Sequence, residues 1–137
     1  MAEARRVLAL DHGSVRIGVA VSDPLGMTAQ PRAVLDVGPA LIEQIGNLVS
    51  DLGVERIVVG LPIGLDGAEG AAAIAARAFA ARVAAETGIP TELVDERFST
   101  VIAERSMIEA GARRGRRRRS RDSVAAAIFL QSYLDGP

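Results

Sequence analysis

Residues 7–22 read VLALDHGSVRIGVAVS, two apolar runs separated by a short segment that contains Gly13. Aliphatic residues dominate residues 6–11 and 15–22, as is typical of buried strands. A connection this short joins antiparallel strands, because a parallel pair needs a crossover of about a dozen residues or more. The stretch therefore predicts a β-hairpin whose first strand ends at Asp11.

Beyond the hairpin, the chain alternates between strand and helix patterns. A third strand is predicted near residues 33–36, after Pro31, and a helix with one apolar face follows it to about residue 52. Apolar runs at residues 56–60 and 91–95 predict two more strands. A predicted helix precedes each of them, which favours parallel pairing. Helices are further predicted over about residues 68–86, 99–110 and 122–134. The order indicates an α/β fold: a mixed five-stranded sheet, with three antiparallel strands, then parallel βα units, and helices on both faces.

The composition, 49% hydrophobic and 24% charged over 137 residues, is that of one ordinary soluble domain, which we expect to span residues 1–137. Cysteine is absent, which excludes a disulfide framework, a zinc–thiolate site and a cysteine nucleophile. No stretch approaches the roughly 18 apolar residues of a membrane span, and the first apolar run is too short for a signal peptide. We therefore expect a cytoplasmic protein that does not bind membranes.

The net charge is only −1, but seven arginines lie between residues 113 and 121. Without this segment the chain has 9 arginines and 17 acidic residues, a net charge of −8. Such segregation indicates a polyanionic partner, and we interpret the segment as a mobile loop that binds nucleic-acid phosphates. A solvated linker with no further role is the alternative. The candidate nucleic-acid-binding residues are Arg113, Arg114, Arg116, Arg117, Arg118, Arg119 and Arg121.

Three acidic residues stand at the ends of predicted elements: Asp11 after the first strand, Glu96 after the fifth, and Asp122 at the start of the last helix. Charged side chains are rarely buried unless they pair or hold a metal, and three carboxylates can bind a hard divalent cation. Each also has a simpler interpretation. Asp11 with Gly13 suits a turn, Glu96 with Arg97 suits a surface ion pair, and Asp122 suits the positive end of a helix dipole. Metal-dependent phosphodiester chemistry is the interpretation in which the three act together.

The neighbours of these carboxylates are weaker candidates. Asp95 precedes Glu96, but adjacent strand residues face opposite ways, so both cannot easily reach one metal. His12 is the single histidine, and we expect it to face away from Asp11, which leaves little support for hydroxyl-nucleophile triads and zinc clusters. Asp66-Gly67 suits a turn, or alternatively a loop that presents backbone N–H groups to phosphate.

Four segments of the chain, in order, resemble the YqgF/RuvX family, and together they span residues 7–134. Two departures from the family pattern are visible. Gly64-Leu65 stand where an asparagine is common, and arginines replace the usual lysines of the fourth segment, which changes the geometry of phosphate contacts. The four segments are DHGSVRIGVA at residues 11–20; Gly60-Leu61-Pro62 with Asp66-Gly67 and Gly70; DERFST at residues 95–100; and DSVAA at residues 122–126 with Leu130, Gln131, Tyr133 and Leu134.

The resemblance implies a ribonuclease H-like fold with Asp11 on the central first strand, and it implies that Asp11, Glu96 and Asp122 are catalytic carboxylates that bind Mg²⁺ or Mn²⁺. It also implies nuclease activity on structured RNA or branched DNA. The substrate is either the 5′ end of precursor 16S rRNA, in ribosome biogenesis, or the Holliday junction, in DNA recombination and repair. Resolving a four-way junction needs two active sites and hence a homodimer. Supporting roles, including the orientation of carboxylates and the stabilisation of phosphate charge, fall to Gly13, Arg16, Asp66, Gly67, Asp95, Arg97 and Thr100.

Two functions of other classes compete with this one. A nucleotide-binding domain of the actin and sugar-kinase type also begins with Asp-x-Gly on a first strand, but it needs a second domain that 137 residues cannot supply. A ribosome-assembly factor that binds RNA without cutting it would use the same arginines. Metal-dependent cleavage that is lost on substitution of Asp11 separates the enzyme from the binder.

Overall fold

The computed structural model describes residues 6–63, 67–95 and 114–136, with residues 114–121 described by their backbone alone. Its five strands form one mixed sheet in the order β3-β2-β1-β4-β5. The antiparallel neighbours are β1–β2 and β2–β3, and the parallel neighbours are β1–β4 and β4–β5. The predicted mixed sheet, with its first strand at the centre, is confirmed. The elements are β1 (Arg6–His12), β2 (Arg16–Ser22), β3 (Ala29–Asp36), α1 (Leu41–Leu52), β4 (Val54–Leu61), α2 (Ala71–Thr87), β5 (Thr91–Asp95) and α3 (Arg114–Asp135).

Helices cover both faces of this sheet, and the alternation of β1 shows which residues face which helix. Leu8 and Leu10 are fully buried in the core formed with α1 and α2. Val7 and Ala9 are buried on the opposite face, in the core formed with α3. Because successive strand residues point to opposite faces, Asp11 belongs to the α3 face and His12 to the α1 and α2 face. Both residues stand at the carboxyl end of the central strand.

Helix α3 is fixed to the sheet by polar contacts as well as by its apolar face. The backbone N–H of Ala29 donates to the side-chain oxygen of Gln131 at 2.8 Å, which ties the helix to the start of β3. Nearer its end, the hydroxyl of Tyr133 accepts from Arg56 at 2.8 Å and donates to Glu92 at 2.9 Å. These contacts span β3, β4 and β5 and set the direction of the helix across the sheet. They give Gln131 and Tyr133, two residues of the fourth family segment, a structural role.

Among the elements before α3, the predicted bounds differ most from the observed ones in β3 and at the start of α2. The third strand begins at Ala29 rather than near residue 33, and it includes Pro31. Proline, which lacks a backbone N–H, is tolerated there because β3 is an edge strand, and the pairing with β2 is irregular nearby, between Val19 and Ala20. The helix expected from about residue 68 begins at Ala71, after Gly70. The helix predicted over residues 99–110 lies outside the described residues.

The arginine segment corrects the sequence analysis most clearly. We expected a mobile loop followed by a helix from Asp122, but α3 begins at Arg114, so residues 114–121 have a helical backbone. Arginine is a good helix former, and a helix already docked on the sheet extends at its end without a new nucleation step. Asp122 therefore lies inside the helix, and its interpretation as the helix N-terminus is wrong.

None of the helices in the described parts of the chain combines the length and the apolar character that a membrane crossing requires.

Candidate active site

Gly18 brings helix α3 into contact with the central hairpin. In the register of β1 and β2, Gly18 is the partner of Asp11. A Cβ atom built on Gly18 would overlap the backbone carbonyl of Asp122 and would lie 3.2 Å from the Asp122 Cα. Partners in an antiparallel pair have Cα atoms only about 4.5–5.5 Å apart. The backbones of Asp11 and Asp122 therefore both lie next to Gly18, at the same level of the sheet. The absence of a side chain at residue 18 makes this approach possible.

Arg16 holds the side chain of Asp122 at this point. Its Nε donates to Oδ2 of Asp122 at 2.8 Å across 106 residues of sequence, and the two side chains are 30% and 29% exposed. Arg16 starts β2, two residues before Gly18, so strand alternation puts both on the α3 face. The predicted orientation of a site carboxylate by Arg16 is thus supported by a direct contact.

Gly13 shapes the turn between β1 and β2. Its N–H donates to the backbone carbonyl of Arg16 at 3.0 Å, and a Cβ atom on Gly13 would stand 2.7 Å from that oxygen. Any larger residue would push the turn open and displace Arg16. The structure therefore gives Gly13 a role in the hairpin, whereas the predicted approach of a phosphate to its backbone stays a prediction.

His12 faces away from Asp11, as predicted. Its ring packs against Phe79 of α2 with ring centroids 4.7 Å apart and an interplanar angle of 34°. Burial lowers the pKa of His12 below its ordinary value, because the protonated ring would lose its hydration there. His12 is accordingly neutral at pH 7 and lies across the sheet from the aspartates.

The carboxyl ends of β1, β4 and β5 meet at one edge of the sheet. Leu61 pairs with Asp95, the last residue of β5, which lies two strands or about 10 Å from β1. Leu93 packs in the core under α2, and alternation puts Asp95 on that same face, opposite to Asp11 and Asp122. This agrees with the prediction that Asp95 is a weaker candidate for a metal ligand than Glu96. Glu96 is the next residue of the chain.

Several predicted site residues lie outside the described residues: Glu96, Arg97, Thr100, Asp66 and Arg113. Gly67 is described, with a φ of +84° that suits glycine in a turn. Arg114, Arg116, Arg117, Arg118, Arg119 and Arg121 are described only as helical backbone. Within the described ranges, no three histidine or acidic side chains form a metal site. The structure thus unites Asp11, Arg16 and Asp122, and the part of Glu96 in the site stays a prediction.

The pair of aspartates fits a hard divalent cation in its donor chemistry. Mg²⁺ and Mn²⁺ prefer carboxylate oxygens, and a typical site uses one or two of them together with water and substrate phosphate. The contact of Asp122 with Arg16 uses one carboxylate oxygen, Oδ2. Arg16 also supplies a positive charge, which reduces repulsion between the neighbouring carboxylates.

Gly18 has no predicted role from the sequence. A glycine inside a run of β-branched residues often marks a close approach of another backbone, and this signal was present in residues 15–22. The identity of the approaching element, a helix more than 100 residues later, was not readable from that pattern.

Comparison with known proteins agrees with this architecture. A protein from Pelotomaculum thermopropionicum named "Putative pre-16S rRNA nuclease" is 49% identical over 133 residues, which cover 95% of this chain and 86% of the relative. A relative of the same name from Moorella thermoacetica is 46% identical over 132 residues, covering 95% and 94%. Among solved structures, Thermus thermophilus RuvC in complex with a Holliday junction substrate superposes with a TM-score of 0.60 at 15% identity, over 96% of this chain and 97% of the other. The fold is therefore that of RuvC.

The family model described as "RuvX: Holliday junction resolvase" matches residues 5–136, nearly the whole chain. The four matching segments, the RuvC fold and a relative with 49% sequence identity agree with this match. The chain therefore belongs to the RuvX family.

Proposed function

We propose that the protein is a divalent-metal-dependent nuclease that hydrolyses phosphodiester bonds in structured nucleic acid, with the 5′ end of precursor 16S rRNA as its substrate. The observation that supports this proposal is the close approach of Asp122 to Gly18, which is the strand partner of Asp11 at the end of the central strand. The names of the relatives support the choice of substrate. Cytoplasmic action, during ribosome assembly, is part of the same proposal.

Asp11, Asp122 and Glu96 would hold Mg²⁺ or Mn²⁺, and the bound metal would activate water and neutralise charge on the reacting phosphate. Arg16 would hold the carboxylate of Asp122 in position through its 2.8 Å contact. Arg97 and Thr100 follow Glu96 in the third family segment and would support that carboxylate or the phosphate. Gly13 and the Asp66-Gly67 loop would let the substrate backbone approach the same edge of the sheet.

The amino end of α3 extends this site with positive charge. Asp122 lies against Gly18 at the level of Asp11, whereas Tyr133 lies beside Arg56 near the start of β4. The helix therefore continues past the Asp11 end of the sheet, and its first eight residues, Arg114–Arg121, extend about 12 Å beyond Asp122. Arginines there would bind phosphates on either side of the cleaved bond without reading base sequence.

A direct test compares the cleavage of precursor 16S rRNA with that of a four-way DNA junction, each with and without Mn²⁺. We expect Mn²⁺-dependent cleavage of the RNA at its 5′ extension. Cleavage restricted to the junction would favour the second candidate, Holliday junction resolution, which the description of the family model supports. That reaction would also require a homodimer, which sedimentation measures. Binding of RNA with no cleavage under any metal would leave only the assembly-factor alternative.

Replacing Arg116, Arg117, Arg118 and Arg119 with alanine should weaken the binding of all nucleic acids to a similar degree. Each lost phosphate contact reduces the slope of log K against log salt by about 0.9 on duplex DNA, and we expect a total reduction of about 1 to 3. The melting temperature should change little, since alanine also favours a helix. The control is the pair Arg32→Ala and Arg77→Ala, on β3 and α2. An unchanged slope and affinity in the quadruple variant would place the nucleic-acid surface elsewhere.

Arg16→Ala should lower the cleavage rate by about 10- to 100-fold, because an aspartate displaced by about 1 Å loses much of its catalytic effect. Stability should fall by no more than about 1 kcal/mol, since a partly exposed ion pair contributes little. Arg77→Ala is the matched control: it breaks the exposed 2.7 Å ion pair between Arg77 on α2 and Glu69, which precedes that helix, and it should leave cleavage unchanged. Kinetics and thermal unfolding of the two variants measure the difference, and equal cleavage by both would contradict the orienting role of Arg16.

A further inference from the structure

A cavity of about 490 Å³ opens on the α1 and α2 face, beside the carboxyl end of β1. Its lining combines aromatic rings, aliphatic side chains and one cation: His12 and Phe79; Pro39, Leu41 and Ile42; and Arg82. A cavity of this size lies within the usual range for small-ligand sites, and a mostly apolar lining with few polar groups is typical of them. Neither the metal-binding aspartates nor Arg16 lines it.

The half-buried ring of His12 offers a surface suited to a planar ligand. It packs against the ring of Phe79 with centroids 4.7 Å apart, and Phe79, which is only 9% exposed, holds it in place from the core. Nucleobases stack on such rings whatever their sequence, because every base has a π face. The pocket can therefore accept a base without selecting its identity.

Arg82 supplies the matching charge at the mouth of the cavity. It is exposed on α2, and within the described ranges no carboxylate forms an ion pair with it, in contrast to Arg16, Arg56 and Arg77. Guanidinium groups bind phosphate oxygens in a bidentate manner. Aromatic rings beside a cation free to bind phosphate form a pattern that fits a nucleotide.

The position of the cavity relative to the aspartates suggests which nucleotide enters it. Asp11 and His12 are consecutive, with Cα atoms about 3.8 Å apart, and they face opposite sides of the sheet. A strand whose reacting phosphate lies at Asp11 can therefore cross the sheet edge and place its next residue over His12. A paired base could not turn into the pocket without leaving its partner, whereas an unpaired base can.

We propose that this cavity binds the base of an unpaired nucleotide adjacent to the cleaved phosphate, with Arg82 on the phosphate of that nucleotide. The inference rests on the proposed nuclease function and adds a preference for substrates with an unpaired residue at the cleavage site. Affinity and cleavage should both be higher for such a substrate than for a fully paired one.

The test uses the full chain carrying Asp11→Asn, so that binding is measured without cleavage. Fluorescence anisotropy compares two duplexes of one sequence that differ by a single unpaired nucleotide. The variant Ala78→Phe adds a ring to an exposed residue that lines the cavity, and the control Ala85→Phe adds it to an exposed residue of α2 outside the lining. Ala78→Phe should reduce the preference for the unpaired nucleotide about 5- to 10-fold, and Ala85→Phe should not.

A second pair of variants tests the phosphate contact. Arg82→Ala should weaken binding of the bulged duplex about 3- to 10-fold, while Arg32→Ala on β3 should have no such effect. If Ala78→Phe keeps the preference for the unpaired nucleotide while the wild-type protein cleaves its substrate, the proposed base-binding role of the cavity is wrong. The proposed nuclease function is then unaffected. Absence of cleavage by the wild-type protein on every substrate would instead overturn the proposed function itself.

Discussion

Asp11→Asn is expected to lower the cleavage rate by at least about 10³-fold while leaving the fold intact. The change removes a charged oxygen ligand and nearly preserves the shape of the side chain. Loss of roughly 4 kcal/mol of transition-state stabilisation corresponds to that factor, since each 1.36 kcal/mol is tenfold in rate. Single-turnover cleavage with Mg²⁺ or Mn²⁺ measures the effect. Turnover near the wild-type rate would rule out the proposed role of Asp11.

The stability of this variant should equal or slightly exceed that of the wild type. Asp11 and Asp122 stand together at Gly18, and without a cation two neighbouring carboxylates repel each other. Neutralising one of them relieves that repulsion. Asp51→Asn, at an exposed residue of α1, is the matched control and should change neither cleavage nor the melting temperature.

Gly18→Ala should destabilise the protein by about 2–3 kcal/mol and also reduce cleavage strongly. The added methyl group would overlap the Asp122 carbonyl, so either α3 moves away from the sheet or β2 bends. Overpacking of a well-packed interior costs about 1–3 kcal/mol, and the backbone partner here cannot rotate aside as a side chain would. Because the shift occurs at Asp122, the catalytic geometry is lost with the stability.

The control for this prediction is Gly46→Ala, in the middle of α1. A Cβ atom on Gly46 would meet nothing within 4 Å, so the substitution should stabilise the helix by about 0.5–1 kcal/mol. Chemical denaturation of the two variants under the same conditions compares them directly. Equal effects of the two substitutions would show that α3 is not held against the sheet through Gly18.

Strands β1, β2 and β4 could be predicted from sequence because each is a compact apolar run with local boundaries, whereas the mostly exposed β3 begins four residues before its predicted start. The short turn at Gly13 determined the antiparallel start, and the position of His12 followed from strand alternation alone. The pairing of Gly18 with Asp122 could not be predicted, since it joins elements 104 residues apart through a backbone contact. Periodicity reports which face of an element is apolar, but not which distant element covers it.

The arginine segment was misread for a different physical reason. Repulsion among seven like charges favours an extended chain, and the prediction of a mobile loop rests on this repulsion. Helix propensity and continuity with a docked helix act in the opposite direction, and their strength depends on how firmly residues 122–135 pack. Ala126, Phe129 and Leu130 are fully or almost fully buried, so that packing is firm. The tertiary contact, rather than the local composition, determined the conformation.

The continuity of α3 gives residues 114–121 an angular relation to Asp122, one of the proposed catalytic carboxylates. Each residue of an α-helix turns by about 100° and advances by about 1.5 Å, so each backbone position in residues 114–121 has a fixed azimuth and height with respect to Asp122. One alanine inserted between Arg121 and Asp122 would preserve the net charge and the number of arginines, yet rotate the preceding helical segment by more than a quarter turn relative to Asp122. In a flexible loop the same insertion would change neither phosphate binding nor cleavage. Length changes in this segment should therefore be tolerated best in steps of about seven residues, two full turns, which restore the phase between phosphate binding and cleavage.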